Sequence, residues 1–426
     1  MQKILFSLLF SLLIVPMTQA ELTEAELDRR IEALRKRDFV IQIQSESGEP
    51  YAGEVSYELT RHGFEFGTAL AASMLGAEGV HFGSNAEEIT DADRETYQRI
   101  ARELFSAAVM ENIMKWSTME GPGGVERPER VAAAEHAVAW CMEAGLKLRG
   151  HCLVWGVPRW LPGWQKELAK GDPKLIEEAI RGRMKRALER FQGRVTEWDL
   201  VNEMMHADIF REGLGRENGA FYFDWVREID PDIKLYVNEY GVLQGDEVDD
   251  YVAHIRELLA AGVKVDGIGD QAHFFKPMPS SEHLWGILDK LGQFGLPVKI
   301  TEFDYQHEEV DEEQRAKDLV RFYKVCFAHP AVEGIYMWGF WDGRHWRKNA
   351  GLWDRDWNPK PAAEAYRNLI QREWHTEGTV KVTDGRLSFR GFPGDYVLRV
   401  DGEEHRLRLE EEGTEVRLMI GGGMYD

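Results

Sequence analysis

Two glutamates far apart in the chain close segments that are otherwise suited to a sheet interior: Glu203 at the end of "VTEWDLVNE" (195 to 203), and Glu302 in "LPVKITEFD" (296 to 304). Other apolar runs end in the same manner. Glu111 and Asn112 follow "AAVM", and Lys115 comes soon after. His151 and Trp155 lie in "LKLRGHCLVW", Asn202 precedes Glu203, and Tyr240 closes "IKLYVNEY". Gln271 and His273 end "VDGIGDQAHF", Asp304 follows Glu302, and Trp338 ends "GIYMW", with Trp346 a little beyond. A single acid at the end of a strand is commonly a helix cap. Polar endings on most of the strands call for another explanation, and carboxylates suit one chemistry in particular. One carboxylic acid protonates a departing oxygen while a second carboxylate attacks the carbon or activates water, which is what breaking a glycosidic bond requires. One member of such a pair must keep its proton, and a neighbouring negative charge helps it to do so. Trp155, Trp160, Trp164, Trp338, Trp341 and Trp346 would then supply flat apolar faces for sugar rings.

These side chains need elements to hold them. Strand-like runs recur at 64–70, 107–112, 146–155, 195–203, 233–240, 265–274, 296–304 and 334–342, separated by helical patterns such as "RVAAAEHAVAWCMEAG" and "DYVAHIRELLAAG". This alternation predicts an α/β fold, a (β/α)8 TIM barrel over residues 62–374, with a doubly wound open sheet as the alternative. An open sheet of that kind usually brings a glycine-rich phosphate loop, and "GPGGVE", "GLGREN" and "GIGDQA" all miss its spacing. Strands 4 and 7 lie three apart on a ring of eight, so Glu203 and Glu302 should face one another across the C-terminal rim.

The ends of the chain have a different rhythm. Residues 21–61 hold an amphipathic helix and then "FVIQIQSESGEPYAGEVSYELT", which reads as a β-hairpin. Residues 375–426 hold short alternating runs split by Asp-Gly turns. Together the two pieces are expected to form one small all-β module beside the barrel, serving as a clamp because their aromatics are sparse. Residues 1–20 combine Lys3, an apolar run too short to span a bilayer and a small-residue end, the layout of a cleaved export signal. The mature chain is thus expected to be exported, secreted or periplasmic, with no membrane contact after cleavage.

A formal net charge of −22, from 52 basic and 74 acidic residues, argues against nucleic acid or an anionic membrane as partner and favours a neutral substrate. Three scattered cysteines suit buried thiols better than a disulfide framework or a zinc site, and no H-E-x-x-H cluster is present. No metal and no organic cofactor are expected, and a monomer is.

The stretches "ENIMKW", "LRGHCLVW", "WDLVNE", "YVNEY", "GIGDQAHF", "ITEFD" and "MWGFWDGRHW" occur in an order that resembles glycoside hydrolase family 10, the retaining endo-β-1,4-xylanases, over roughly residues 62 to 372. The resemblance implies Glu203 as general acid/base and Glu302 as nucleophile, with Asn202 on the sugar 2-hydroxyl. It implies His273 orienting Glu302, Asp304 holding His273, and Gln271 in the same network. Glu111, Asn112 and Lys115 would grip the next sugar on the non-reducing side. His151 and Trp155 would wall the sugar at the cleavage point, Trp338 and Trp346 would cap it, and Tyr240 would shape the leaving-group side. The implied substrate is xylan or a related β-1,4-glycan, with a non-catalytic carbohydrate-binding protein and a metal-dependent hydrolase as competing readings. The chain departs from the family pattern at Gly156, where a histidine is usual, at Glu239 in place of aspartate, at "DQAH", and at Phe340-Trp341. Gly156 is expected to widen the site.

Overall fold

The computed structural model describes residues 22–77, 89–411 and 415–420. The export-signal reading of residues 1–20 lies outside them. Among the described residues, no helix is long and apolar enough to cross a membrane.

Eight strands close into a parallel barrel: Glu65–Leu70, Ala107–Met110, Lys147–Gly150, Glu197–Asn202, Lys234–Glu239, Gly267–Asp270, Val298–Tyr305 and Val332–Met337, here barrel strands 1 to 8. Each pairs in parallel with the next, and strand 8 returns to strand 1 through Ile335 beside Phe66. The strands read as near-continuous runs because both of their faces are covered, strands 4 and 7 being buried at every residue. Two-residue extensions, Val154–Trp155 beside strand 4 and His273–Phe274 beside strand 7, lengthen the rim where the polar residues gather.

A helix follows every strand and packs outside it. Local chemistry fixes where these helices start. Thr90 and Asp93 form a reciprocal capping box for Asp91–Leu104, Asp172 caps Pro173–Phe191 with proline at its first position, and Ser280 and Asp311 cap the helices after strands 6 and 7.

The terminal segments form two facing sheets. In one, Arg37–Ser45 lies between Arg386–Gly391 and Glu415–Ile420; in the other, the order is Glu377–Val382, Gly53–His62, Gly394–Val400, Glu403–Leu409. Tyr57 of one sheet stacks on Phe389 of the other at 4.0 Å, and Phe39, Ile41, Val55, Leu387 and Leu398 are sealed between them. The hairpin expected over residues 39–60 is corrected here. Its strands meet only at the turn, where Tyr51 N–H donates to Ile43 O (3.0 Å), and then diverge into separate sheets. Gly385 is the wedge: it accepts from Ile43 N–H (2.7 Å) and donates to Tyr51 O (2.9 Å). With φ at +75° and Ile43 O only 2.6 Å from where a Cβ would stand, that position requires glycine.

The sandwich attaches at the barrel's N-terminal end. Arg35 donates to the carbonyls of Phe327, His329 and Val332 at 2.7 to 2.8 Å, and His62 is enclosed by Phe66, Phe327 and Phe392. Strands 37–45 and 53–62 take every sheet partner from residues after 376. Deleting residues 376–426 is therefore expected to expose 37–62 to proteolysis, read by mass spectrometry of limited digests; an unchanged cleavage pattern there would contradict the shared sandwich.

Candidate active site

The chain turns sharply where strand 4 ends. Glu203 adopts φ +59°, a left-handed conformation that costs a non-glycine residue about 1–2 kcal/mol, and neighbouring bonds hold it there. Its N–H donates to Asn238 O (2.9 Å), and its carbonyl accepts from His206 and Ala207. Glu239 Oε1 accepts from Met205 N–H (2.7 Å), fastening the same turn from strand 5. Ala272, at the end of strand 6, is likewise left-handed (φ +52°) and donates to Asp270 Oδ1 at 2.6 Å. Asp270 Oδ2 accepts from Leu243 N–H (2.9 Å), so "DQAH" joins strand 6 to the loop after strand 5, and burial pushes the Asp270 carboxyl up to about 7.

Three amides bridge the two glutamates. Gln271 Nε2 donates to Glu203 Oε1 (3.1 Å) and Asn202 Oδ1 (3.2 Å), and Asn202 Nδ2 donates to the same Glu203 oxygen (3.2 Å). Asn238 Nδ2 donates to Asn202 Oδ1 (2.8 Å) and to Glu302 Oε1 (2.9 Å), while the Thr301 hydroxyl fixes Asn238 Oδ1 (2.6 Å). The two carboxylates are thus oriented by a single layer of side-chain amides. Asn238 is its hub, a role that sequence reasoning missed.

His273 stands between two acids. Its Nε2 is 3.3 Å from Glu302 Oε2, and its Nδ1 lies 3.0 Å from Asp304 Oδ2, an ion-pair contact whose angle falls outside hydrogen-bond geometry. Burial alone would depress this imidazole, but Asp304 and Glu302 outweigh it and raise His273 to about 10. Burial raises Asp304 less than His273, His345 and Arg347 lower it, leaving it near about 2. For Glu302, burial is again outweighed, here by His151, His273 and Lys115, so its carboxyl lies below the ordinary value. Asp304 also accepts from Trp346 Nε1 (2.7 Å) and pairs with Arg347.

The remaining expected residues surround this centre. His151 Nδ1 bonds Asp199 Oδ2 (2.9 Å) and approaches Glu302 Oε1 at 3.9 Å, with the Trp338 ring edge-on at 5.2 Å. Lys115 donates to Asn112 Oδ1 (3.1 Å) and lies over the Trp155 ring at 4.7 Å. Burial raises the Glu111 carboxyl, which Lys115 partly offsets. Tyr240 stacks on His206 at 3.8 Å, and the half-exposed Trp160 stacks on Trp155 at 5.9 Å. Trp341 does not join them: it is buried against Trp357 at 4.3 Å, and Phe340 packs on Tyr97, so both serve the core. Nor does Gly156 open the site. A Cβ there would lie 2.4 Å from Asp208 Oδ1, so Asp208 already occupies the space expected to be vacant. All three cysteines are buried and free, and no cluster of metal-ligating side chains occurs among the described residues.

A closed parallel barrel with two amide-bridged carboxylates at the C-terminal ends of strands 4 and 7 has the form of a barrel hydrolase. Within that class the chain belongs to glycosyl hydrolase family 10, whose family model matches residues 70–369. It is 35% identical over 88% of its length to the anti-sigma-I factor RsgI6 of Acetivibrio thermocellus, covering 46% of that protein. It is 29% identical to endo-1,4-beta-xylanase 3 of Arabidopsis thaliana over 88% of its length, covering 47% of that relative. The chain therefore spans about half the length of these curated relatives. Among solved structures, it resembles xylanase 10B from Thermotoga petrophila in complex with xylobiose, with TM-score 0.63 and 27% identity, covering 73% of this chain and 94% of that one.

The His273–Asp304 pair has a defined pH signature. His273 holds its proton more tightly folded than unfolded, so its contribution to stability is complete below pH 6.5 and drains away as pH climbs toward 10. The Asp304 contribution is complete above pH 3.8 and fades toward pH 2. Urea unfolding of wild type and Asp304→Asn should differ most between about pH 4 and 6.5, and the difference should narrow toward pH 10. A pH-independent difference would show that the pair is not ionised as described.

Proposed function

We propose that this protein is a retaining glycoside hydrolase that cleaves β-1,4-xylosidic bonds in xylan by double displacement. The observation that carries the reading is the amide-bridged pair, Glu203 and Glu302, with Glu302 held ionised beside His273. In the first step the Glu302 carboxylate attacks the anomeric carbon and forms a glycosyl ester. The bond to the leaving oxygen breaks, and its electron pair takes the proton of Glu203. In the second step Glu203 removes a proton from water, the water attacks the same carbon, and Glu302 leaves as carboxylate. Two inversions restore the β configuration. No metal or organic cofactor enters either step.

The supporting roles follow position. Asn202, fixed by Gln271 and Asn238, would bind the sugar 2-hydroxyl, a contact that strengthens in the transition state. His273 orients Glu302 and is held by Asp304, itself tied to Trp346 and Arg347. Glu111, Asn112 and Lys115 would bind hydroxyls of the sugar on the non-reducing side, His151, Trp155, Trp338 and Trp346 would enclose the sugar being cleaved, and Tyr240 would border the leaving group. The names of two similar proteins, a xylanase and a xylanase bound to xylobiose, support xylan as the substrate. We assign the terminal sandwich the role of a structural clamp, since it sits at the opposite end of the barrel from the glutamates and its exposed faces carry few aromatics. Residues 1–20 we read as an export signal and the mature protein as an exported monomer.

Glu302→Ala should reduce xylan cleavage by at least about 10⁴-fold, and azide should partly restore turnover of an activated aryl xylobioside, giving the α-azide. Glu203→Ala should fall steeply on polymer but far less on substrates whose leaving group needs no proton. Reducing-end release and product analysis read both outcomes. Wild-type polymer turnover in either variant would remove that residue from its role.

A further inference from the structure

His206 has no part in the roles above, yet it is built into the turn that carries Glu203. Its N–H donates to Glu203 O (3.2 Å), and its ring lies parallel to Tyr240, 3.8 Å away and tilted by only 12°. Behind it, Glu239 Oε2 stands 3.5 Å from Nε2, and the other Glu239 oxygen accepts from Met205 N–H at 2.7 Å. The ring is therefore stacked on a phenol on one face and borders a buried carboxyl group at its edge, without a hydrogen bond to it. Its side chain is 20% exposed; the buried Nε2 makes no hydrogen bond, and no hydrogen bond among the described residues engages Nδ1. A stacked imidazole with an unpartnered nitrogen, three residues from the proposed proton donor, has the form of a ligand contact whose ordering cost is partly met before binding.

Geometry indicates which ligand. The acid must touch the oxygen that departs, so the departing sugar sits on the Glu203 side of the scissile bond, flanked by the ends of strands 4 and 5. His206 and Tyr240 are the residues there. We infer that His206 is a specificity-determining residue for the leaving-group sugar, hydrogen-bonding one of its hydroxyls through Nδ1 while Tyr240 and Glu239 keep the ring in place. This rests on the glycosidase reading of Glu203 and adds to it a contact that a substrate without a leaving-group sugar cannot use.

The test compares xylotetraose with xylobiosyl β-fluoride, whose leaving group is a single atom. In His206→Ala the ratio of kcat/KM on xylotetraose to kcat/KM on the fluoride should fall about tenfold relative to wild type, the size expected for one pre-oriented hydrogen bond. Tyr240→Ala should shift the ratio in the same direction. An unchanged ratio in His206→Ala, even with both rates lowered together, would overturn the assignment. So would an equal loss on methyl β-xylobioside, whose leaving group needs the proton of Glu203 but is not a sugar, because a displaced Glu203 rather than a lost sugar contact would then account for the change. A wild-type protein that cleaves neither substrate would instead overturn the reading on which the inference rests.

Discussion

A continuous line of opposite charges runs up the inside of the barrel, and the placement of Glu302 depends on it. Lys299 pairs with Glu65 (2.6 Å) and Glu197 (2.5 Å), Arg149 with Glu197 (3.2 Å) and Asp199 (2.6 Å), and Asp199 with His151 (2.9 Å), which faces Glu302. Barrel interiors are usually filled by branched apolar side chains. Here one wall is ionic instead. Burial alone would favour neutral Arg149 and Lys299, yet the carboxylates beside them more than compensate and both stay charged. Such a wall adds little net stability, because each ion loses its hydration. Removing one partner, however, strands a buried charge at a cost of about 3–5 kcal/mol. That asymmetry makes the arrangement rigid, and the rigidity reaches the rim through Asp199 and His151.

The rim makes the opposite use of polarity. Below it, full charges cancel in pairs; at the rim, neutral amides of Asn202, Asn238 and Gln271 orient the two glutamates without neutralising them. Glu302 is drawn toward ionisation by His151 and His273, while Glu203 is reached only by neutral donors among the described residues. Two carboxylates of one kind thereby receive different surroundings, the difference on which the proposed division of labour between nucleophile and proton donor rests. The left-handed turn at Glu203 serves the same end, since an extended residue there would continue strand 4 rather than project its side chain over the opening.

The eight barrel strands were legible because both of their faces are buried, so each appears as an apolar run with a polar stop. The polar stops themselves marked the rim. What sequence could not reveal was partnership. Alternation identifies 37–45 and 53–62 as strands but carries no information on which strand pairs with which, and the Gly385 turn that parts them lies more than three hundred residues away. Arg149, Glu197, Asp199 and Lys299 went unread for a related reason: a charge alternating with apolar residues looks like a solvated face, and only the closure of the barrel turns it inward. Trp341 looked like a sugar platform because tryptophan content does not distinguish a ring aimed at the opening from one packed on Trp357. His206 lay past the end of its strand, in a loop with no periodic signal.

The account stands most directly on Glu302 becoming covalently bound to sugar. Incubation with an activated 2-deoxy-2-fluoro xylobioside, followed by intact-mass and peptide analysis, should show a single added disaccharide on the peptide containing Glu302, formed in step with loss of activity. Inactivation with the label on another residue, or full turnover with no adduct, would contradict it.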